Sequence, residues 1–211
     1  MKSQNPYSLN ISITQSDVEP SQVLLFSGHM IDSPHRPQPR FPPAMEAEAR
    51  QKIEQILEKL QVDDHCLAIA PGIACGGDIL FLEACLQRMV QVEVYLPFEP
   101  VKFIEQSVSF ARDDWVERFY RIKNHPRVQI HQQLENLGAL PPGEDPFERN
   151  NRWALHSSLV YGIDRIKLIV LWDGQGGDGR GGTGDMVNQV RQLGGVVEHL
   201  DTTKFEYWQT R

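Results

Sequence analysis

Short apolar runs alternate along this chain with longer stretches whose apolar residues recur every three or four positions. Val23-Leu24-Leu25-Phe26 is the first run, and residues 66–70, 92–96, 166–172 and 196–200 continue the series, with a shorter candidate at residues 128–130. The runs at 66–70 and 166–172 read as buried strands, and the others as strands. Between them, Met45, Ala49, Ile53, Ile56, Leu57 and Leu60 fall on one side of a predicted amphipathic helix over residues 44–60. Residues 79–86 are apolar nearly all round, which suits a buried helix. Residues 98–123 are predicted helical in two pieces broken near Asp113, with Phe103, Phe110, Trp115, Phe119 and Tyr120 spaced as core rather than as a base-stacking platform. Residues 147–162 read as a helix with Trp153, Leu155, Leu159 and Val160 inward and Gly162 as its stop. A short helix over 185–193 turns Met186, Val190 and Leu193 inward before Gly194-Gly195. Residues 1–21 are a polar lead-in, 137–146 a Gly/Pro loop, and 202–211 a tail in which Trp208 is the one packing candidate.

Strands separated by helices, with no hairpin signal, predict an α/β fold: a Rossmann-like, doubly wound, mainly parallel sheet with helices on both faces. One domain over residues 22–201 accommodates all of it.

The composition narrows the partners. Charged residues make up 23% and hydrophobic residues 40% of the 211, ordinary values for a globular domain. The net charge of −7 argues against a general nucleic-acid partner, which needs clustered cations, and leaves room for a small anion held by main-chain amides. Cys66, Cys75 and Cys85 cannot all pair, lack metal-ligand spacing and sit in or beside predicted core, so reduced thiols and a cytoplasmic location are expected. No apolar run reaches spanning length, so no membrane partner is expected. The seven histidines are scattered, and no metal site is assigned. A homodimer is compatible with the sequence.

In a doubly wound sheet, ligands bind outside the carboxyl ends of the strands where strand order reverses. Three loops are predicted at that edge: Ser27-Gly28-His29, residues 72–78 and residues 174–185. Gly72, Gly76 and Gly77 lie between a buried strand and a buried helix, the local architecture that holds phosphate on free amides; a tight turn with Asp78 near the cap is the alternative. The stretch DGQGGDGRGGTG at 173–184 is too glycine-rich for a simple connector, and backbone approaching a ligand at Gly181, Gly182 and Thr183 explains it more cheaply than a disordered loop does. Asp173, Asp178 and Asp185 suit ribose hydroxyls or a divalent cation, although no cofactor is required. The proline-rich loop after the first strand carries Asp32, His35, Arg36 and Arg40, and reads either as a stiff surface connection or as a flap bringing cations to an anion. Asn150 and Asn151, flanked by Arg149 and Arg152, suit a sugar or base edge. Glu83 is the one acid in an apolar helix; buried, it would carry a raised pKa as a general base or ribose acceptor. Cys75 reads as a small residue filling a tight turn rather than as a reactive thiolate.

Leu24-Leu25-Phe26-Ser27-Gly28-His29, with Ala70-Pro71-Gly72-Ile73-Ala74-Cys75-Gly76-Gly77-Asp78 and Glu83-Ala84, resembles the SLOG superfamily, which joins the Smf-type DNA-processing domain to the "lonely guy" phosphoribohydrolases. The 72–78 turn is similar to the small-residue turn of the first branch, and the glycine loop with Thr183 to the Pro-Gly-Gly-x-Gly-Thr loop of the second. Here that loop lacks its proline, and Asp185-Met186 stand where a glutamate would follow. The resemblance implies a Rossmann-like domain that binds a nucleotide or nucleotide-derived ligand, and these departures favour a sensor, acting in signalling or stress response, over a hydrolase. Gly28, Gly72, Gly76, Gly77, Gly181, Gly182 and Thr183 would hold phosphate, with Ser27 and His29 at the same edge, and Asp78, Glu83, Asn150 and Asn151 would address ribose or base. The alternatives are an enzyme cleaving an N-glycosidic bond (a phosphoribohydrolase, or one resembling a nucleoside deoxyribosyltransferase) with Glu83 or Asp185 as its carboxylate, and a scaffold without ligand.

Overall fold

The computed structural model describes residues 19–111, 114–176 and 182–209. Six strands form one sheet: β1 (Val23–Gly28), β2 (Leu67–Ala70), β3 (Gln91–Leu96), β4 (Val128–Gln132), β5 (Ile166–Trp172) and β6 (Val196–Asp201). All neighbours pair in parallel, in the order β4-β3-β2-β1-β5-β6. The chain walks outward from β1 to β4, then returns to the far side of β1 and continues to β6. This is a doubly wound sheet, Rossmann-like and wholly parallel, and strand order reverses between β1 and β5.

The alternation of side chains along the strands builds two cores. On one face, Leu24, Phe26, Ala68, Ala70, Val92, Val94 and Leu171 pack under α1 (Glu46–Lys59), α2 (Gly77–Gln87), α3 (Pro100–Ser107) and α4 (Trp115–Lys123). On the other, Val23, Leu25, Leu67, Ile69, Leu168 and Val170 pack under α6 (Pro146–Leu159) and α7 (Thr183–Gln192). α2 is enclosed almost completely, as its apolar composition requires. A five-residue helix, α5 (Gln133–Leu137), was not predicted; it is too short to show a period, and buried Gln133 ties it to α6 by donating Nε2 to the Pro146 carbonyl at 2.6 Å.

Several residues expected inward are outside. Val160 and Leu193 are 66% and 50% exposed because α6 and α7 end one residue before them. Tyr120 is 41% exposed and only its ring edge meets Phe119. The tail, in contrast, belongs to the fold: Phe205 is fully enclosed in the first core and Thr202 is buried. Residues 1–18 of the expected lead-in lie outside the described residues.

The segment leaving β1 runs antiparallel across the turn between β2 and α2. Gly77 donates its amide to the His29 carbonyl at 3.0 Å, Ile31 donates to the Cys75 carbonyl at 2.9 Å, and Met30 bridges Gly76. Gly76 adopts φ +111°, and a Cβ there would lie 2.7 Å from the Ile31 nitrogen and 2.9 Å from the His29 oxygen. Both the dihedral and the approach exclude a side chain. Gly76→Ala is therefore expected to lower the unfolding free energy by about 2 kcal/mol or more, read as a shift of the urea midpoint; an unchanged midpoint would mean that the two segments do not touch.

Candidate functional site

β1, β5 and β6 end side by side, with Gly28 in register with Leu171 and Trp172 with Asp201. The residues that follow, His29, Asp173 and Thr202, therefore emerge together at the carboxyl edge. Asp173 donates its amide to His29 Nε2 at 3.0 Å, and its carboxylate Oδ1 lies 3.3 Å from the same nitrogen. An imidazole nitrogen that accepts an amide proton is unprotonated there. Burial lowers the His29 pKa below its usual value, the Asp173 carboxylate opposes that, and the Arg40 charge reinforces it, so the neutral ring is the resident form. Across the crevice, Ser27 Oγ and Thr183 Oγ1 share a hydrogen bond of 2.8 Å, which brings the start of α7 and the end of the glycine loop onto β1.

Over this edge folds the proline-rich loop. Asp32 closes it: Oδ2 accepts the amides of Arg40 and Phe41 at 2.8 and 2.9 Å, and Asp32 donates its own amide to the Phe41 carbonyl at 2.9 Å. Phe41 is fully buried and anchors the loop's far end. The loop is thus stiff, as both readings of it require, and this braced flap carries Arg36 and Arg40 over the edge. Between the flap, the segment after β5 and the end of β6 lies a cleft of about 580 Å³ lined by Arg36, Arg40, Asp173, Gln175, Thr202 and Trp208, among others. Thr202 is completely buried, yet its hydroxyl oxygen has no hydrogen-bond partner among the described residues. The volume is that of a small-molecule site.

The residues singled out in the sequence divide sharply here. Ser27, Gly28, His29, Gly182 and Thr183 share the edge beside β1. The 72–78 turn adjoins them through the His29–Gly77 bond, but it is buried and its amides face inward: Ala74 donates to Asp78 Oδ2 at 3.1 Å, Cys75 to the Ser107 carbonyl at 2.9 Å, and Gly77 to His29. Its glycines answer to close packing. A Cβ on Gly72 would meet the Asp78 carboxylate, and one on Gly77 or Gly28 the ring of Phe26, which stacks on Phe81 at 4.6 Å. Asp78 braces this turn, and burial raises its pKa to about 7. Burial also lifts the Cys75 thiol to about 12, so it is no thiolate.

Asn150 is wholly buried and staples three elements: Nδ2 donates to the carbonyls of Pro71 and Tyr95 at 2.8 Å each, and Oδ1 faces Gln133. Asn151 is half-buried on the same helix. Glu83 departs most from expectation. Although burial pushes its pKa upward, Arg118 and then Arg50 outweigh it and hold the carboxyl below its usual value. Arg118 grips it through Nε and Nη2 at 2.8 Å each, Arg50 adds a contact at 3.0 Å, and Arg118 Nη1 reaches Glu46 at 2.8 Å. The cluster joins α1, α2 and α4 and is no general base. Asp185 is exposed in the first turn of α7 and accepts from Gln189 at 3.1 Å. Gly181, Arg180 and Asp178 lie outside the described residues.

Thr202 and Trp208 line the cleft and were not among the expected site residues; the aromatic residues Phe205, Tyr207 and Trp208 in the tail were the available signal. Among the described residues, the one cluster spaced for a metal ion is Asp63, Asp64 and His65, exposed just before β2 at the opposite edge. All three cysteines are free and buried, and no helix among the described residues is long and apolar enough to cross a membrane. No protein-family model, curated protein or solved structure matches this chain.

Asp78 sets a pH dependence. Its folded pKa of about 7 exceeds the unfolded value of 3.8, so the folded state keeps a proton that the unfolded chain releases. Stability from this group is therefore full below the unfolded pKa and declines as pH rises toward 7. Asp78→Asn retains an acceptor for the Ala74 amide and removes the titration. Its melting temperature is expected to gain on the wild type as pH rises from about 4 to about 7; a difference independent of pH would contradict a protonated Asp78.

Proposed function

We propose that this protein binds a nucleotide or nucleotide-derived small molecule in the cleft above β1, β5 and β6, and acts as a ligand sensor. The observation that carries the reading is the cleft itself: it lies at the reversal of strand order, is roofed by a braced flap carrying Arg36 and Arg40, and has a buried hydroxyl without a partner in its wall. Guanidinium groups suit phosphate oxygens, in a chain whose overall charge of −7 would otherwise repel them. The Asp173 carboxylate, in the cleft lining, suits sugar hydroxyls. Gly182 and Thr183, at the start of α7, offer further donors to an anion on the opposite flank. The resemblance of the β1 and β2 loops to the SLOG superfamily supports the same ligand class. Of the two carboxylates considered for cleavage, Glu83 is locked in ion pairs among α1, α2 and α4 and Asp185 is engaged by Gln189 on α7, which favours binding over hydrolysis.

Nucleoside monophosphates, diphosphates and ADP-ribose test this by thermal shift. A ligand at a hundred times its Kd stabilises the native state by about 2.7 kcal/mol. Arg36→Gln with Arg40→Gln should abolish the shift while leaving the unliganded melting temperature nearly unchanged, because the flap is closed by Asp32 and Phe41. Glu83→Gln should do the opposite, lowering the melting temperature and preserving the shift. No stabilisation by any phosphate compound would overturn the reading, and release of free base would turn it from sensor to enzyme.

A further inference from the structure

The cleft has two chemically distinct walls, and they come from different parts of the chain. One is the flap with Arg36 and Arg40; the other is the C-terminal segment of residues 202–208. We infer that this segment forms the aromatic subsite of the cleft, with the base of a bound nucleoside monophosphate packed on Trp208 and its phosphate held by Arg36 and Arg40. This inference rests on the binding function proposed above and extends it to the identity of the ligand.

Trp208 donates its one polar atom, Nε1, to the Thr202 carbonyl at 2.9 Å. What the residue offers a ligand is therefore ring surface alone. The ring is fixed before any ligand arrives: Tyr207 packs on it nearly perpendicular at a centroid distance of 4.8 Å, Phe205 is enclosed in the core, and Glu206 donates its amide to Glu48 of α1 at 3.0 Å. At the other end of the segment, Asp201 Oδ1 accepts from the Thr203 amide and hydroxyl at 3.0 and 2.6 Å. Thr202, whose carbonyl holds the indole, is the residue with the buried, unpartnered hydroxyl in the cleft wall. A phosphate ion alone would address only the arginine wall. A ligand that uses both walls carries an anion and a planar ring, and at about 580 Å³ the cleft is sized for a small molecule. Stacking on an aromatic side chain is tolerant of base identity, so the same wall serves purines and pyrimidines.

Calorimetry on the full chain with AMP, GMP, CMP, UMP, ribose 5-phosphate and inorganic phosphate separates the two walls. At least one mononucleotide should bind tenfold or more tightly than ribose 5-phosphate. Trp208→Ala should bring that mononucleotide down to the affinity of ribose 5-phosphate and leave ribose 5-phosphate itself unchanged. Trp208→Phe, which keeps a ring, should restore most of the difference and guards against a variant that merely unfolds. If ribose 5-phosphate binds as tightly as every mononucleotide, or Trp208→Ala weakens both alike, the aromatic subsite is excluded while the anion site stands. If none of the six compounds binds, the inference falls together with the reading on which it rests.

Discussion

The main-chain contact between residues 29–31 and residues 75–77 is the constraint on which the rest of the edge depends. Two backbones meet there with no side chain between them, at a glycine of φ +111° and a second glycine whose amide holds the His29 carbonyl. The contact fixes the direction in which the chain leaves the central strand. From that direction follow the placement of the His29 ring against the Asp173 amide and the position of Asp32, from which the whole flap is braced. A conventional phosphate loop would leave those amides facing solvent. Here they are engaged in making the floor rigid, and the open cleft lies one strand across, above β1, β5 and β6.

Charge is partitioned along the same line. On the helical face under α1, α2 and α4, Glu83 and Arg118 are desolvated together, and the fork geometry of the guanidinium compensates that desolvation by satisfying both carboxylate oxygens. The Arg118 guanidinium also lies 3.9 Å from the Trp115 ring, which leaves little of either ion without a partner. That cluster is internally paired, and it lines a second cleft of about 540 Å³ on the helical face. Around the first cleft the balance differs: Arg36 is one-third exposed with Asp32 as its ion-pair neighbour at 3.4 Å, a water-facing arrangement that a ligand anion can join at little expense.

The fold was legible because its signals are redundant. Five strands stood out as predominantly apolar runs, and the helices between them carried a 3.6-residue period, so errors were confined to single positions, as at Tyr120, Val160 and Leu193, and to an element of five residues that is too short to show a period. The site was legible only in part. The carboxyl edge and the flap follow from strand order and from Arg36 and Arg40 in a proline-rich loop, which are properties of the sequence. Whether an amide is free is not such a property: the same glycine-rich string fits an open phosphate cradle and a turn packed against a crossing strand, and only the position of residues 29–31 decides between them. Glu83 misled for a similar reason. A lone acid in an apolar helix has the same appearance whether it awaits a proton or meets an arginine 35 residues away.

Thr202 and Trp208 lie beyond any reading of local pattern, since their proximity to Arg36 and Arg40 arises from the last strand being laid next to β5. Winding the sheet outward from its centre in both directions necessarily brings the early β1 loop and the late β6 loop to the same edge, two strands apart. A crevice at that place is walled by the two parts of the chain most distant in sequence. The floor can then be held rigid by the central strands while the walls are set by loops free to vary independently, one supplying charge and the other ring surface. That division explains how a rigid glycine turn and an open cleft coexist at one sheet edge without competing for the same amides.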